Sequence, residues 1–555
     1  MTNGTNGGCC WGWVPLLGKH FSFCIRALNE RQRTTGLAIF VLAFLVLAHA
    51  SNPAAPLLWR GIEAGPYHVG YKSAWKWDAS RAFSPRTDWR GNVLYHEAAR
   101  PIRLSTWYPA TPHKGSTPMP YEGYFHADDA PAELHTLVQA TEEYDRSSNT
   151  NMFGGDAILL QQLLRTTTAA YRDAAYAQGA FPVVIYSMGQ NDYNQENVVL
   201  CEYLASHGFI VVTVPDLGPS LLKSKMLVND AASFEAQEDD LEFALAQAIQ
   251  IPSADANKIA ALGQSMGAIY ALLLAMRDDR VGAVIGLDGS YMTTIPRYYF
   301  KFQEAFYFDP THFRAPLLSL YRKNDNPDVT MSEIDQLRYS DRYLMAVPKV
   351  IHTDFNSFPL LTVDVPASKL DTYASRHRDQ QTAVSGHLFI ANSVLDFLEG
   401  TLNGNPLSIG SLQQRCQRFS LAGTATDCKL LPGLRAPTEE ELARIAMADG
   451  TDQAVAAYDD AKARYPEAVI IREKVLNRIG SEAGYQDHRE DAVKILQLNV
   501  HAWPDSSDAY ESLAEAYEAN GKKDLALESY KKSLALNPGN ADAREGLKRL
   551  QTARQ

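Results

Sequence analysis

Residues 258–276 read KIAALGQSMGAIYALLLAM, a single serine between two glycines with an apolar run on each side. The first run, KIAAL, is continuously apolar, as a strand covered on both faces must be. The second, AIYALLLAM, has the length and composition of a buried helix. Between them GQSMG, 263–267, has the form G-x-S-x-G, which in a strand–turn–helix setting is a nucleophile elbow. Gly263 and Gly267 permit the tight turn and the close helix–strand approach that a Cβ would obstruct. Ser265 is then a candidate nucleophile, lifted above the sheet with the N-terminal amides of a helix behind it.

The pattern continues outward from this turn. From about 66 to 400, short apolar runs alternate with amphipathic stretches. Strands are expected at 102–110, 181–189, 209–216, 258–265, 281–289, 315–325 and 347–352, and helices at 194–206, 232–250, 267–277 and 387–400. Such alternation predicts an open, doubly wound, mostly parallel α/β sheet, here assigned to a domain spanning 51–405. Residues 118–180 interrupt it. PAELHTLVQATEEY and DAILLQQLLRTTTAAYRDAAY read as helices inserted before the FPVVIYSMG strand. They form either a cap over the sheet's C-terminal edge, where ligands bind in such folds, or packing against its flank.

At 555 residues the chain is long enough for two or more domains. With 46% hydrophobic and 21% charged residues it is globular. A net charge of −12, without any basic stripe, argues against nucleic acid as a partner. Residues 37–48, LAIFVLAFLVLA, follow Arg26, Arg31 and Arg33 and precede the small residues AHA. Such a segment suits a signal peptide cleaved near Ala50 and falls short of the roughly 20 apolar residues that span a bilayer. If the leader (1–50) stays uncleaved it becomes a membrane anchor. Export implies an oxidising compartment, periplasmic or secreted, in which Cys416 and Cys428 could close a disulfide within a linker at 406–436. Cys201, among apolar residues at helical spacing, reads as buried and inert. No cysteine or histidine spacing points to a metal.

Beyond the linker, residues 437–555 form a different object. EDAVKILQLNVHAWP (490–504) and DLALESYKKSLALNP (524–538) align at an offset of 34, pairing Ala492 with Ala526, Leu496 with Tyr530 and Pro504 with Pro538. This period resembles the tetratricopeptide repeat. AVAAYDDAKARYP (454–466) reads as a degenerate earlier unit, and DAREGLKRLQ as the polar closing helix of the stack. These repeats either recruit a protein partner or brace the first domain.

A serine hydroxyl becomes a nucleophile only when a histidine takes its proton and a carboxylate orients that histidine. On the residues alone two carboxylates qualify, Asp288 in VIGLDG and Asp325 in YRKND, and two histidines, His352 in VIHTDF and His387 in SGHLF. Strand order slightly favours Asp325. However, GPYHVGY (65–71), IRLSTWYPA, YLASHGFIVV (203–212), GQSMG, GLDGSY (286–291) and VIHTDFNSF (350–358) follow one another in order. Together they resemble the serine esterases related to plasma platelet-activating-factor acetylhydrolase and dienelactone hydrolase. The resemblance implies Asp288 as the acid and His352 as the base. It leaves Asp325 in a loop or cap and His387 solvated at the start of the final helix. It also implies an oxyanion hole from the backbone N–H groups of Gln190 and Met266. One departure stands out, because Met188 occupies the place of the family's histidine before Gly189, which puts that loop's anchoring in doubt.

The reading that follows is an exported serine hydrolase acting on a small-molecule or lipid ester through an acyl-enzyme, with no cofactor. A peptidase on the same fold is the minor alternative. A silent hydrolase scaffold carrying binding repeats is the alternative from another class, and it would be expected to have lost one of the three residues.

Overall fold

The computed structural model describes residues 53–552, except 54, 82–85, 88–92, 96–98, 126–145, 147–149, 151–152, 154, 190–194, 216–230, 293–307, 312, 324–330, 371–378 and 422. Its frame is an eleven-stranded sheet. The strands are β1 (His68–Asp78), β2 (Arg100–Thr111), β3 (Ala170–Arg172), β4 (Ala175–Tyr176), β5 (Phe181–Ser187), β6 (Ile210–Val214), β7 (Ala254–Gln264), β8 (Val281–Leu287), β9 (Leu317–Lys323), β10 (Arg342–Pro348) and β11 (Asp427–Leu431). They lie in the order β11-β10-β9-β8-β7-β5-β6-β2-β1-β3, with β4 paired to β2. Neighbours from β6 across to β10 run parallel, while β2 against β6, β1 against β2 and β11 against β10 are antiparallel.

Successive side chains of a strand point to opposite faces, so a continuous apolar run serves two cores. In β5, Val184 and Tyr186 join one apolar layer and Val183 and Ile185 the other. The first layer is closed by α2 (Val198–Ser206) and α5 (Gln380–Thr401), the second by α3 (Ala231–Ala248) and α4 (Met266–Arg277). This is the doubly wound α/β-hydrolase arrangement. It brings the ends of β5, β7 and β8 to one edge, with Ser187 opposite Gly263 and Leu287 opposite Gln264.

Some local expectations shift. The strand expected at 347–352 lies at 342–348, and the chain leaves the sheet through Lys349, whose φ is 57°. Residues 156–176 are helical only in α1 (Ala157–Leu164), capped by the Asp156 carboxylate, after which the chain enters the sheet as β3 and β4. On α1, Leu160, Leu163 and Leu164 pack into the layer that holds α2. PAELHTLVQATEEY and the leader lie outside the described residues. Among the described residues no helix is long and apolar enough to cross a membrane.

After α6 (Pro406–Arg418) the chain returns to the sheet as β11, and Cys428 on that strand forms a disulfide with Cys416 of α6, their Cα atoms 6.1 Å apart. Then follow only helices: α7 (Glu439–Asp449), α8 (Thr451–Arg464), α9 (Glu473–Tyr485), α10 (Arg489–Ala502), α11 (Ser507–Ala519), α12 (Lys523–Leu536) and α13 (Ala541–Thr552). The first helices of three successive pairs start at 439, 473 and 507, a constant step of 34. The second helices start at 451, 489 and 523, steps of 38 and 34. Gly480 faces Leu496 so closely that any Cβ would overlap its side chain, which lets α9 and α10 approach. This helical array meets the sheet domain at Glu439, a fully buried carboxylate 2.9 Å from both Arg338 Nη2 and Arg472 Nε. Beside it Arg435 pairs with Asp341 at 2.6 Å.

Candidate active site

Ser265 joins β7 to α4 with φ 56° and ψ −120°, a conformation disfavoured for any residue with a side chain. The surroundings impose it. Its N–H donates to the Leu287 carbonyl at 3.0 Å, and its carbonyl accepts from Ser290 N–H at 2.9 Å, so the elbow is tied to the end of β8 on both sides. A Cβ on Gly263 would overlap the Gly267 carbonyl, and one on Gly267 the Ser187 carbonyl. The two glycines therefore set how close β5, β7 and α4 can come. Met266 is the first residue of α4, where an amide has no acceptor inside its own helix.

One strand over, Asp288 follows β8 with φ 45°, its N–H donating to the Leu320 carbonyl at 2.7 Å. Its carboxylate reaches His352, with Oδ2 2.5 Å from the ring Nδ1. Burial alone would raise the Asp288 carboxyl. The hydrogen bond and charge of His352, with the nearby charge of Arg322, outweigh that and hold it below the ordinary carboxylate range. Arg322, at the end of β9, contributes twice: its Nε lies 2.6 Å from Oδ2, and its backbone N–H donates to Oδ1 at 3.1 Å. His352 begins a short 3-10 turn, His352–Phe355, and its ring is partly exposed. On the far side of that ring, Nε2 has the Gln264 amide nitrogen at 3.4 Å. Among the described residues no hydrogen bond joins Ser265 Oγ to the ring. Such bonds are often loose in a free enzyme and tighten around substrate.

The anchoring of the loop after β5 comes from Glu196. Met188 is fully buried, and the buried Glu196 carboxylate accepts from the Tyr186 hydroxyl at 2.5 Å and from Gly189 N–H at 3.2 Å. The same short segment holds the histidine's loop. Ser357 N–H donates to the Glu196 carbonyl at 2.9 Å, Asn197 Nδ2 to the Phe355 carbonyl at 3.3 Å, and Val199 N–H to Ser357 Oγ at 3.0 Å. Residues 196–199 thus tie Gly189, just beyond β5, to the segment that follows His352.

Gln190 and Asp325 lie outside the described residues. His387 is not solvated. It is enclosed within α5, with Nδ1 3.1 Å from the Asp354 carbonyl, and burial pushes its pKa down to about 4. The expectation failed because the helix starts at Gln380, seven residues before the histidine, which places the ring in the core rather than at the helix end. Sequence reasoning passed over Arg322, Gln264 and Glu196. Arg322 stood in a charge run, YRKND, that reads as solvated. Gln264 at least carried a signal, being the residue next to Ser265 in the motif. Among the described residues no three metal-ligating side chains gather.

The Chlorophyllase family pattern matches residues 173–292, which include Ser265 and Asp288 and make up less than a quarter of the chain. No curated protein sequence matches. Among solved structures, a ferulic acid esterase from Streptomyces cinnamoneus is similar at a TM-score of 0.44 and 20% identity, over 66% of this chain and 98% of that chain.

Proposed function

We propose that the chain hydrolyses carboxylic esters as a serine hydrolase, by way of an acyl-enzyme. Ser265 attacks the ester carbonyl, and His352 takes its proton and returns it to the leaving alkoxide. Asp288 holds the imidazole in the tautomer with Nδ1 protonated and stabilises its charged form. The amides of Gln190 and Met266 receive the oxyanion, with the head of α4 adding its dipole. Water then repeats the sequence on the acyl group.

The observation that carries this reading is the buried Asp288 carboxylate 2.5 Å from His352 Nδ1, beside a serine held at φ 56° at the end of the neighbouring strand. An acid–base pair and a strained hydroxyl in that relation have a catalytic rationale that packing alone lacks. Similarity to the Chlorophyllase family around Ser265 and Asp288 supports an ester as the substrate. Short acyl or phospholipid-like esters are the proposed class. The proposed setting is outside the cytoplasm, which the Cys416–Cys428 disulfide supports. We read the helical array as tetratricopeptide repeats that brace the hydrolase domain, a role supported by the buried contact of Glu439 with Arg338.

The test is covalent. A fluorophosphonate should modify one serine, mapped by mass spectrometry to Ser265, and Ser265→Ala should abolish both labelling and turnover. Undiminished labelling of the alanine variant would overturn the assignment. A chain-length panel of esters on the wild-type protein then defines the acyl group.

A further inference from the structure

In the order of the sheet β9 is the second strand beyond the nucleophile's, the place from which the sequence pattern drew its alternative acid. What the described end of β9 delivers to the site is a cation. Arg322 Nε and His352 Nδ1 approach the same oxygen, Asp288 Oδ2, at 2.6 and 2.5 Å, while Arg322 N–H occupies Oδ1. The Nε–H is not aimed along the line to Oδ2, so the contact acts through charge rather than as an aligned hydrogen bond.

We propose that Arg322 is a positioning residue: its guanidinium and backbone N–H hold Asp288 turned toward His352, and the charge of the guanidinium opposes protonation of the imidazole at mildly acid pH. The proposal rests on reading Asp288 and His352 as the acid–base pair. A fixed cation beside the carboxylate opposes the positive charge that imidazole gains on protonation, without removing the oxygen that orients the ring. The guanidinium is partly exposed, so its field is screened and its effect moderate. Other charged or titratable groups on the neighbouring elements do not substitute for it. Tyr291 is held neutral by burial and bonded to Ser319 Oγ at 3.2 Å, and Gln264 is an uncharged amide. Lys323 is paired with Asp427 at 2.5 Å, and Asp354 accepts from the Ile351 N–H of its own turn at 2.8 Å. His387, beyond that turn, is buried and kept neutral.

The experiment measures kcat/KM for a short-chain aryl ester between pH 5 and 9 in the full-length protein, its Arg322→Gln variant and its Arg322→Lys variant. The ratio of kcat/KM at pH 5.5 to that at pH 8.5 should fall about tenfold in Arg322→Gln, equivalent to a shift of about one pH unit. Arg322→Lys, which keeps a cation, should hold the ratio within about twofold of wild type. Arg322→Met replaces the glutamine variant if that protein does not fold. An unmoved ratio, or an equal loss at both pH values, would overturn the proposal, because a purely structural side chain lowers both limbs alike. Fluorophosphonate labelling of the wild-type protein separates the two levels. If Ser265 is not labelled, the reading of the whole site has failed. If it is labelled and the ratio does not move, only the role of Arg322 falls.

Discussion

Acidification from pH 7 to pH 4 should remove about 3 kcal/mol of stability from the wild-type protein that a His387→Asn variant keeps. The His387 ring is fully enclosed. Its Nδ1 faces a carbonyl, that of Asp354, so this nitrogen carries the hydrogen, and its buried Nε2 has no partner among the described residues. A second proton would create a charge inside the core, and burial therefore lowers the pKa from an ordinary 6.5 to about 4. The sign follows from that depression. Above pH 6.5 both folded and unfolded chains hold the ring neutral, and His387 has no effect. As pH falls from 6.5 the unfolded chain binds a proton that the folded chain refuses until about pH 4. At about 1.36 kcal/mol per pH unit, the ceiling of that loss is about 3 kcal/mol. Asparagine places an amide donor near the position of Nδ1 and does not titrate, so its own fixed cost cancels when the two proteins are compared across pH. Thermal unfolding followed by intrinsic fluorescence at half-unit steps should show the wild-type midpoint falling about 5 °C further than the variant's. Parallel curves would refute the reasoning, because they would mean that water or an acceptor reaches Nε2.

Three other outcomes are expected. Asp288→Asn should lower turnover by about 10⁴ by leaving the wrong imidazole tautomer populated, whereas Asp325→Asn should stay within about tenfold of wild type; steady-state assays that reverse this order would move the acid to β9's loop. Glu196→Ala should strand the Tyr186 hydroxyl and Gly189 N–H and lower kcat by about 10²-fold, with a smaller change in KM; an unaltered kcat would mean that the loop after β5 needs no anchor. A chain ending at Pro406 should aggregate on gel filtration, because it lacks β11 and bares the edge of β10, whereas one ending at 436 keeps β11 and should stay monodisperse but unfold at a lower temperature than the full chain, having lost Glu439 from Arg338; equal behaviour of the two on gel filtration would deny β11 that protective role.

The elbow was legible because three independent signals coincide there: glycines where no Cβ fits, an apolar strand before them and a helix after. β5, β6 and the later half of β7 were legible for the reason that they are buried on both faces, so their runs are unbroken. β1 was not. Its KSAWKWD half is mostly half-buried or exposed beside β2 and carries lysines, tryptophans and an aspartate, which reads as neither strand nor helix. β11 was hidden by its exposure and its place behind a helix and a disulfide loop, so nothing local marks DCKLL as part of a sheet begun far upstream. The contact of Asp288 with His352 was reached by family resemblance rather than by pattern, since strand order pointed to Asp325. Arg322 and Glu196 escaped because what makes them matter is their partner, and a partner across the sheet leaves no local trace.

The geometry of Ser265 has a consequence for how such a protein changes over generations. A serine held at positive φ stores on the order of 1–3 kcal/mol of backbone strain, sustained by the ties to Leu287 and Ser290 and by the flanking glycines. Glycine at this position would release most of that strain and remove the proposed nucleophile. Folding and catalysis therefore favour different residues at 265. In a lineage freed from the need to hydrolyse anything, loss of activity would be a downhill step in stability rather than a neutral one. On the proposed function, a serine kept at 265 is the residue that selection for activity would have to hold against this pull.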